Sequence, residues 1–197
     1  MTRRSVRNAL VAVLAAGALV ALVGCTAEAP LPGPTPTYVS TYEPPPAYGI
    51  APLTGEQIEV GALTAPSLAA KIDNHPNARP QVGLERADIV FEELVEGGLT
   101  RYVAVWHSDV PDVIGPVRSI RPMDPDIISP LGGIVAYSGG QSRFVEMMRA
   151  APVYNAIHGQ RDTESTFFRG DNAPAPHNVL VRAREVIAQH LDRAAPV

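Results

Sequence analysis

The sequence predicts a layered α/β or α+β domain, a mixed β-sheet with flanking helices. Runs with strand character dominate the first half of the globular region: "SLAAKI", "DIVFEELV" and "LTRYVAVWHS". Two stretches with helical spacing follow, "SRFVEMMRA" and "RAREVIAQHLDRA". Strands and helices that each bury one face settle into stacked layers. With 197 residues, 46% of them hydrophobic, the chain supports one such core and not comfortably two.

The N-terminus reads as an export and anchoring signal. "MTRR" and Arg7 give a basic start, and an uncharged apolar run follows up to "LVGC", Leu22 to Cys25. A small residue before the chain's one cysteine has the form of a lipoprotein cleavage site, so residues 1–25 are read as a signal peptide with a lipobox. Cys25 becomes the acylated mature N-terminus. The alternative, an uncleaved anchor, is disfavoured because the run from Ala9 to Val23 is short of the roughly 20 residues a span needs. With no other cysteine, the mature domain holds no disulfide, thiol nucleophile or thiolate metal site. Residues 26–51 are rich in Pro, Thr and Tyr and lack apolar periodicity, which predicts an extended tether. Its tyrosines, Tyr38, Tyr42 and Tyr48, would suit a docking segment if the protein were an envelope scaffold.

The globular part is placed at 52–197. "SLAAKI", 67–72, predicts a short buried strand and "GLERA", 83–87, a helical turn. "DIVFEELV", 88–95, and "LTRYVAVWHS", 99–108, predict an antiparallel pair, because "EGGLT" between them is a hairpin signal. "DVIGPVRSIRP", 112–122, contains a strand fragment interrupted at Gly115-Pro116, and "MDPDIISPL" a short helix between prolines. "GIVAYSGG", 133–140, is a strand closed by a small-residue turn. In "SRFVEMMRA", 142–150, Phe144, Met147 and Met148 share one helical face. Residues 151–176 read as irregular. The closing helix, 182–194, has Val186, Ile187 and Leu191 as its stripe.

Three phrases taken together, "IDNHPNARPQVGLERADIVFEELVEGGLTRYVAVWHS", "IGPVRSIRP" and "APHN", resemble the YerB-like family of bacterial lipoproteins. The resemblance runs from about Pro52 to the C-terminus and matches the family's N-terminal domain. It implies a secreted, lipid-anchored, layered α/β domain and implies no activity. Family members carry a further C-terminal domain, so 52–197 is either a truncated form or a domain working alone.

The candidate site residues fall in four places. Asp73, Asn74 and His75 follow an apolar strand, where loops on a rigid scaffold hold binding groups. Asp and Asn there equally suit a structural turn. Arg118 and Arg121 lie near a Gly-Pro bend and suit a carboxylate or phosphate; pairing with Glu92, Glu93, Glu96 or Asp124 is the structural alternative. Glu93, at the hairpin, is a candidate acid or base beside Arg101. His177 and Asn178 close the set. No histidine pair has metal-ligand spacing, and no phosphate loop or serine nucleophile motif is present, so neither a metal nor a cofactor is expected. A net charge of −4 without a basic stripe gives no reason to expect nucleic acid.

The leading expectation is an envelope lipoprotein on the extracytoplasmic face of the membrane. It would bind an anionic or wall-derived ligand in a polar cleft lined by Asp73, Asn74, His75, Arg118, Arg121, His177 and Asn178. A wall-polymer hydrolase with His75 or Glu93 as general base, and a protein-interaction scaffold, are the alternatives.

Overall fold

The computed structural model describes residues 33–34, 37–171, 173–193 and 195–196. The signal segment and Cys25 lie outside the described residues. The chain divides into two units, Met1–Pro44 and Pro45–Val197. In the first, residues 37–44 are exposed and carry no regular secondary structure.

The second unit opens earlier than position 52. β1 (Tyr48–Ile50) pairs antiparallel with β2 (Gln57–Glu59), and Ala51 is buried between them in sequence. The turn is closed by the Gly55 N–H on the Ala51 carbonyl, 2.9 Å, and the Ala51 N–H on the Glu56 carbonyl, 2.8 Å. The end of the Pro-rich stretch is therefore ordered, because it meets a partner strand across a Thr-Gly turn.

The main sheet contains β3 (Leu68–Asp73), β4 (Ile89–Leu94), β5 (Thr100–Trp106), β7 (Ile134–Tyr137) and β8 (Tyr154–Ile157) in the order β4-β5-β3-β7-β8. The hairpin β4–β5 and the pair β3–β5 are antiparallel; β3, β7 and β8 run parallel. A second, three-stranded sheet has the order β6-β10-β9, from β6 (Val113–Ile114), β9 (Phe167–Arg169) and β10 (Val179–Arg182).

Both faces of the main sheet are covered, which is why β3 reads as a nearly continuous small-apolar run. On one face Leu68, Ala70, Ile72, Ala104, Trp106, Ile134 and Ala136 meet the small sheet and α3 (Ala183–Ala188) through Ile114, Val117, Val179, Val181, Val186 and Ile187. On the other, Ala69, Val103, Val105, Val135 and Tyr137 pack on α1 (Asp124–Ile128) and α2 (Ser142–Ala150) through Ile128, Phe144 and Met148. Deleting any of the larger side chains in these layers would cost about 2–5 kcal/mol. The result is the layered α+β arrangement expected from the sequence.

Three expectations are corrected. Residues 151–176 contain β8 and β9 where irregular chain was expected; strands of three or four residues are too short for alternation to declare itself. On α2, Phe144 and Met148 are buried, whereas Met147 is exposed, so the seam is the i, i+4 pair alone. The last helix stops at Ala188 rather than running to 194. Val186 and Ile187 find the core, but Leu191 stays exposed, leaving no burial to extend the helix.

Candidate functional site

The site lies where parallel strands part. β3 and β7 pair from Leu68–Ile134 to Ala70–Ala136. Beyond that, residues 116–120 enter between them. The Asp73 N–H donates to the Pro116 carbonyl and the Arg118 N–H to the Lys71 carbonyl, both at 2.8 Å. The Ser138 N–H donates to the Arg118 carbonyl at 3.0 Å. Carboxyl ends of parallel strands, where a sheet opens, are common ligand positions. This wedge brings Arg118 against the end of β3.

Asp73 organises what gathers there. Its Oδ1 accepts the His75 backbone N–H at 3.0 Å, an Asx-type turn. Its Oδ2 lies 2.7 Å from His177 Nδ1 and 3.3 Å from Arg118 Nε. The Arg118 contact has ion-pair distance without hydrogen-bond alignment, since Nε has no hydrogen-bond partner; its Nη1 donates to the Pro176 carbonyl at 3.2 Å. His75 stacks on His177, with ring centroids 4.3 Å apart and planes 17° from parallel. The structure thus brings Asp73, His75, Arg118 and His177 together, from positions up to 104 residues apart.

The hydrogen bonds fix what each imidazole offers. His75 Nδ1 accepts the Asn77 N–H at 3.1 Å, so the proton of the neutral ring is on Nε2. His177 Nδ1 faces a carboxylate oxygen and must carry its proton, which leaves Nε2 as an acceptor in the neutral ring. One ring therefore offers a donor and its neighbour an acceptor.

The other expected residues have different partners. Asn74 is a buried loop clamp: its Oδ1 accepts from Arg79 Nη2 at 2.7 Å and its Nδ2 donates to Thr100 Oγ1 at 2.7 Å. "DNHP" is both a made turn and part of the cluster, divided by residue. Asn178 lies outside the imidazole cluster, because its amide accepts from Arg169 at 2.8 Å and donates to the Gly170 carbonyl at 3.0 Å. Arg121 grips Glu96 through Nη2 at 2.7 Å and Nε at 3.0 Å, the structural alternative weighed for it. Arg121 holds the Glu96 carboxyl below its ordinary range.

Glu93 pairs not with Arg101 but with Lys71, and this was not legible beforehand. Ala69, Lys71 and Asp73 share one face of β3 by alternation. Lys71 is fully buried, bonded to Glu93 and, at 2.7 Å, to Asp124 Oδ1. Asp124 Oδ2 also receives the Arg121 N–H at 2.5 Å. One ammonium serves two buried carboxylates, and burial raises Glu93 to about 7. Arg101, opposite both Glu93 and Asp73 across the sheet, is left to donate to the Ser119 carbonyl at 2.6 Å. Burial, then Arg121 and Arg118 nearby, lowers it to about 10. The hairpin register, Glu93 opposite Arg101, was the available signal for this row.

Two cavities lie elsewhere. One, about 390 Å³, is lined by Ala65, His107, Arg184 and Leu191 among others; another, about 560 Å³, lies along β1 and β2. Neither includes a residue of the Asp73 cluster. Among the described residues, no group of three or more His, Cys, Asp or Glu is placed to hold a metal ion.

The model for the family described as "Protein of unknown function (DUF3048) N-terminal domain" matches residues 53–195, spanning every residue of the cluster. The chain belongs to this family. A relative named "Putative lipoprotein YerB", from Bacillus subtilis (strain 168), is 35% identical over 128 residues, covering 65% of this chain and 38% of the relative. The crystal structure of YerB from Bacillus subtilis matches with a TM-score of 0.65 at 32% identity, over 73% of this chain and 49% of that one. The chain spans less than half the length of the relatives it matches. Among the described residues no helix is long and apolar enough to cross a membrane.

Proposed function

We propose that this chain is a lipid-anchored envelope protein, on the extracytoplasmic face, that binds an anionic, wall-derived ligand at the Asp73 cluster. Arg118 supplies the charge, His75 and His177 supply directional contacts, and Asp73 holds His177 and Arg118 in place. The observation that carries the reading is the double contact of one buried oxygen, Asp73 Oδ2, with His177 and Arg118 from two distant segments. A carboxylate that merely closed a turn would have no need of both. The anchoring half rests on "LVGC" at Leu22 to Cys25 and on the name carried by the relative from Bacillus subtilis. Calorimetric titration with anionic wall fragments tests the site. Arg118→Ala is expected to weaken binding at least about tenfold, since a charged contact contributes about 1.5–3 kcal/mol; unchanged affinity would refute the assignment.

A hydrolytic reading has one observation in its favour, the Asp73–His177 pair with the acceptor of His177 unengaged among the described residues. An oriented imidazole of this kind is the usual general base. Release of soluble fragments from purified wall polymer, lost in His177→Gln, would support turnover; binding without release would leave the binding function alone.

A further inference from the structure

Among the described residues Arg101 makes no ion pair, and the Nε of its neighbour Arg118 is buried without a hydrogen-bond partner. Arg101 sits on β5 directly between Glu93 and Asp73, yet neither carboxylate is turned to it: Glu93 is bonded to Lys71, and Asp73 to His177 and Arg118. It is 9% exposed, and its hydrogen bond among the described residues is to the Ser119 carbonyl. Arg121 donates to that same carbonyl at 3.2 Å, and Arg118 precedes Ser119 in the chain. Two guanidiniums share the Ser119 carbonyl and a third, Arg118, lies nearby on Asp73. Asp73 and Glu96 are engaged, whereas Glu93 keeps one buried oxygen, Oε1, without a hydrogen-bond partner. A carboxylate offers two coplanar oxygens and satisfies one guanidinium fork. A phosphate offers tetrahedrally disposed oxygens that several forks can share, and arginine is well suited to such sharing.

The imidazoles add a second constraint. A bare anion presents acceptors only. It matches the Nε2–H of His75 but not the lone pair on Nε2 of the neutral His177 ring, which requires a donor. A hydroxyl provides one. We infer that the ligand is a hydroxylated phosphodiester, a polyol or sugar phosphate, with its anionic oxygens on Arg101 and Arg118 and a hydroxyl on His177. This rests on the anion-binding reading above and adds Arg101 to the site. The same chemistry occurs in a glycerol-phosphate lipid headgroup and in a soluble polyol-phosphate chain.

The full chain, reconstituted in phosphatidylcholine nanodiscs, is titrated with glycerophosphoglycerol, dimethyl phosphate and glucuronate, with the histidine ring resonances as readout. Glycerophosphoglycerol is expected to bind about tenfold more tightly than dimethyl phosphate, one hydroxyl contact's worth. His177→Phe is expected to erase that difference, and Arg118→Gln to weaken both ligands. Arg101→Gln is expected to weaken both as well; because Arg101 is buried, the more exposed Arg118 keeps the test decisive if that variant misfolds. Nanodiscs containing phosphatidylglycerol identify the source: a His177 shift there without added diester points to the headgroup, and a shift only on adding diester points to a soluble polymer. Glucuronate binding as tightly as glycerophosphoglycerol would overturn the phosphodiester inference while leaving the anion site standing. No shift with any of the ligands would overturn both.

Discussion

The buried ammonium of Lys71 lies between Glu93 and Asp124 with no exposure of its own. Such a triad contributes little net stability when intact, but removing the cation strands two carboxylates in a dry layer. Lys71→Ala is therefore expected to cost about 3–5 kcal/mol in urea unfolding, more than removal of a methylene stem alone would. Glu93 gives the pH dependence. Its folded value, about 7, is raised above the ordinary 4.5. The folded state then binds more protons than the unfolded one between those values, so stability falls as pH rises through that window. The contribution is fully present below the unfolded value and gone above the folded one. Melting temperature compared at pH 5 and pH 8 should drop more for the wild type than for Glu93→Gln, which has nothing to titrate there; equal drops would refute the assignment. At this scale the sequence was half legible. Asp73, His75, Arg118 and His177 stood out because imidazoles and guanidiniums in loops are hard to explain as packing. Lys71 did not, because it was read as part of an apolar run, and Arg101 did not, because its isolation depends on where its neighbours turn.

The parallel pair β3–β7 begins with an approach that only glycine permits. Gly133 has φ +69° and is buried. A methyl group there would run into the Ser67 carbonyl oxygen and stand 2.7 Å from the Ser67 hydroxyl oxygen, just where the Ile134 N–H meets the Ser67 carbonyl at 3.0 Å. Gly133→Ala is expected to cost more than about 2 kcal/mol, strain and clash together, measured by chemical denaturation. Gly97, in the β4–β5 turn at φ +71° with open space around it, provides the control: Gly97→Ala meets strain alone, about 1 kcal/mol. Equal costs would mean that the close approach is not what Gly133 is for. The longer elements were legible: β3 as an apolar run, the β4–β5 hairpin by its turn and alternation, and α2 by its period; the four-residue β7 was legible too. The small sheet was legible only at β6, the fragment expected before Gly115-Pro116. β9 and β10 have three and four residues and acquire strand character through pairs such as Val181 with Ile114 and with Phe167. The second layer of the fold, which delivers His177 to Asp73, is thus largely a product of long-range pairing, recorded locally only at β6.

At the scale of the whole molecule, the chemistry of the site and the address of the chain make one claim. A wall-binding surface meets its ligand only outside the cytoplasm, and the anchoring reading would put it there through Cys25, the chain's one cysteine. A single acyl chain gives only marginal, reversible membrane binding, so durable anchoring requires more than one. Metabolic labelling with an alkyne fatty acid is expected to mark the wild type and not Cys25→Ser. The mature wild-type N-terminus should begin at the acylated cysteine, its polypeptide lighter by the 24 residues that precede Cys25, about 2.6 kDa at roughly 110 Da per residue. Because acyl insertion is apolar and not electrostatic, a high-salt wash should leave the labelled protein in the membrane fraction, whereas a charge-held protein would be screened off. An unlabelled protein that keeps its hydrophobic leader would refute the anchor and leave the Asp73 surface without its proposed location, although the arginines and imidazoles would remain as the structure arranges them.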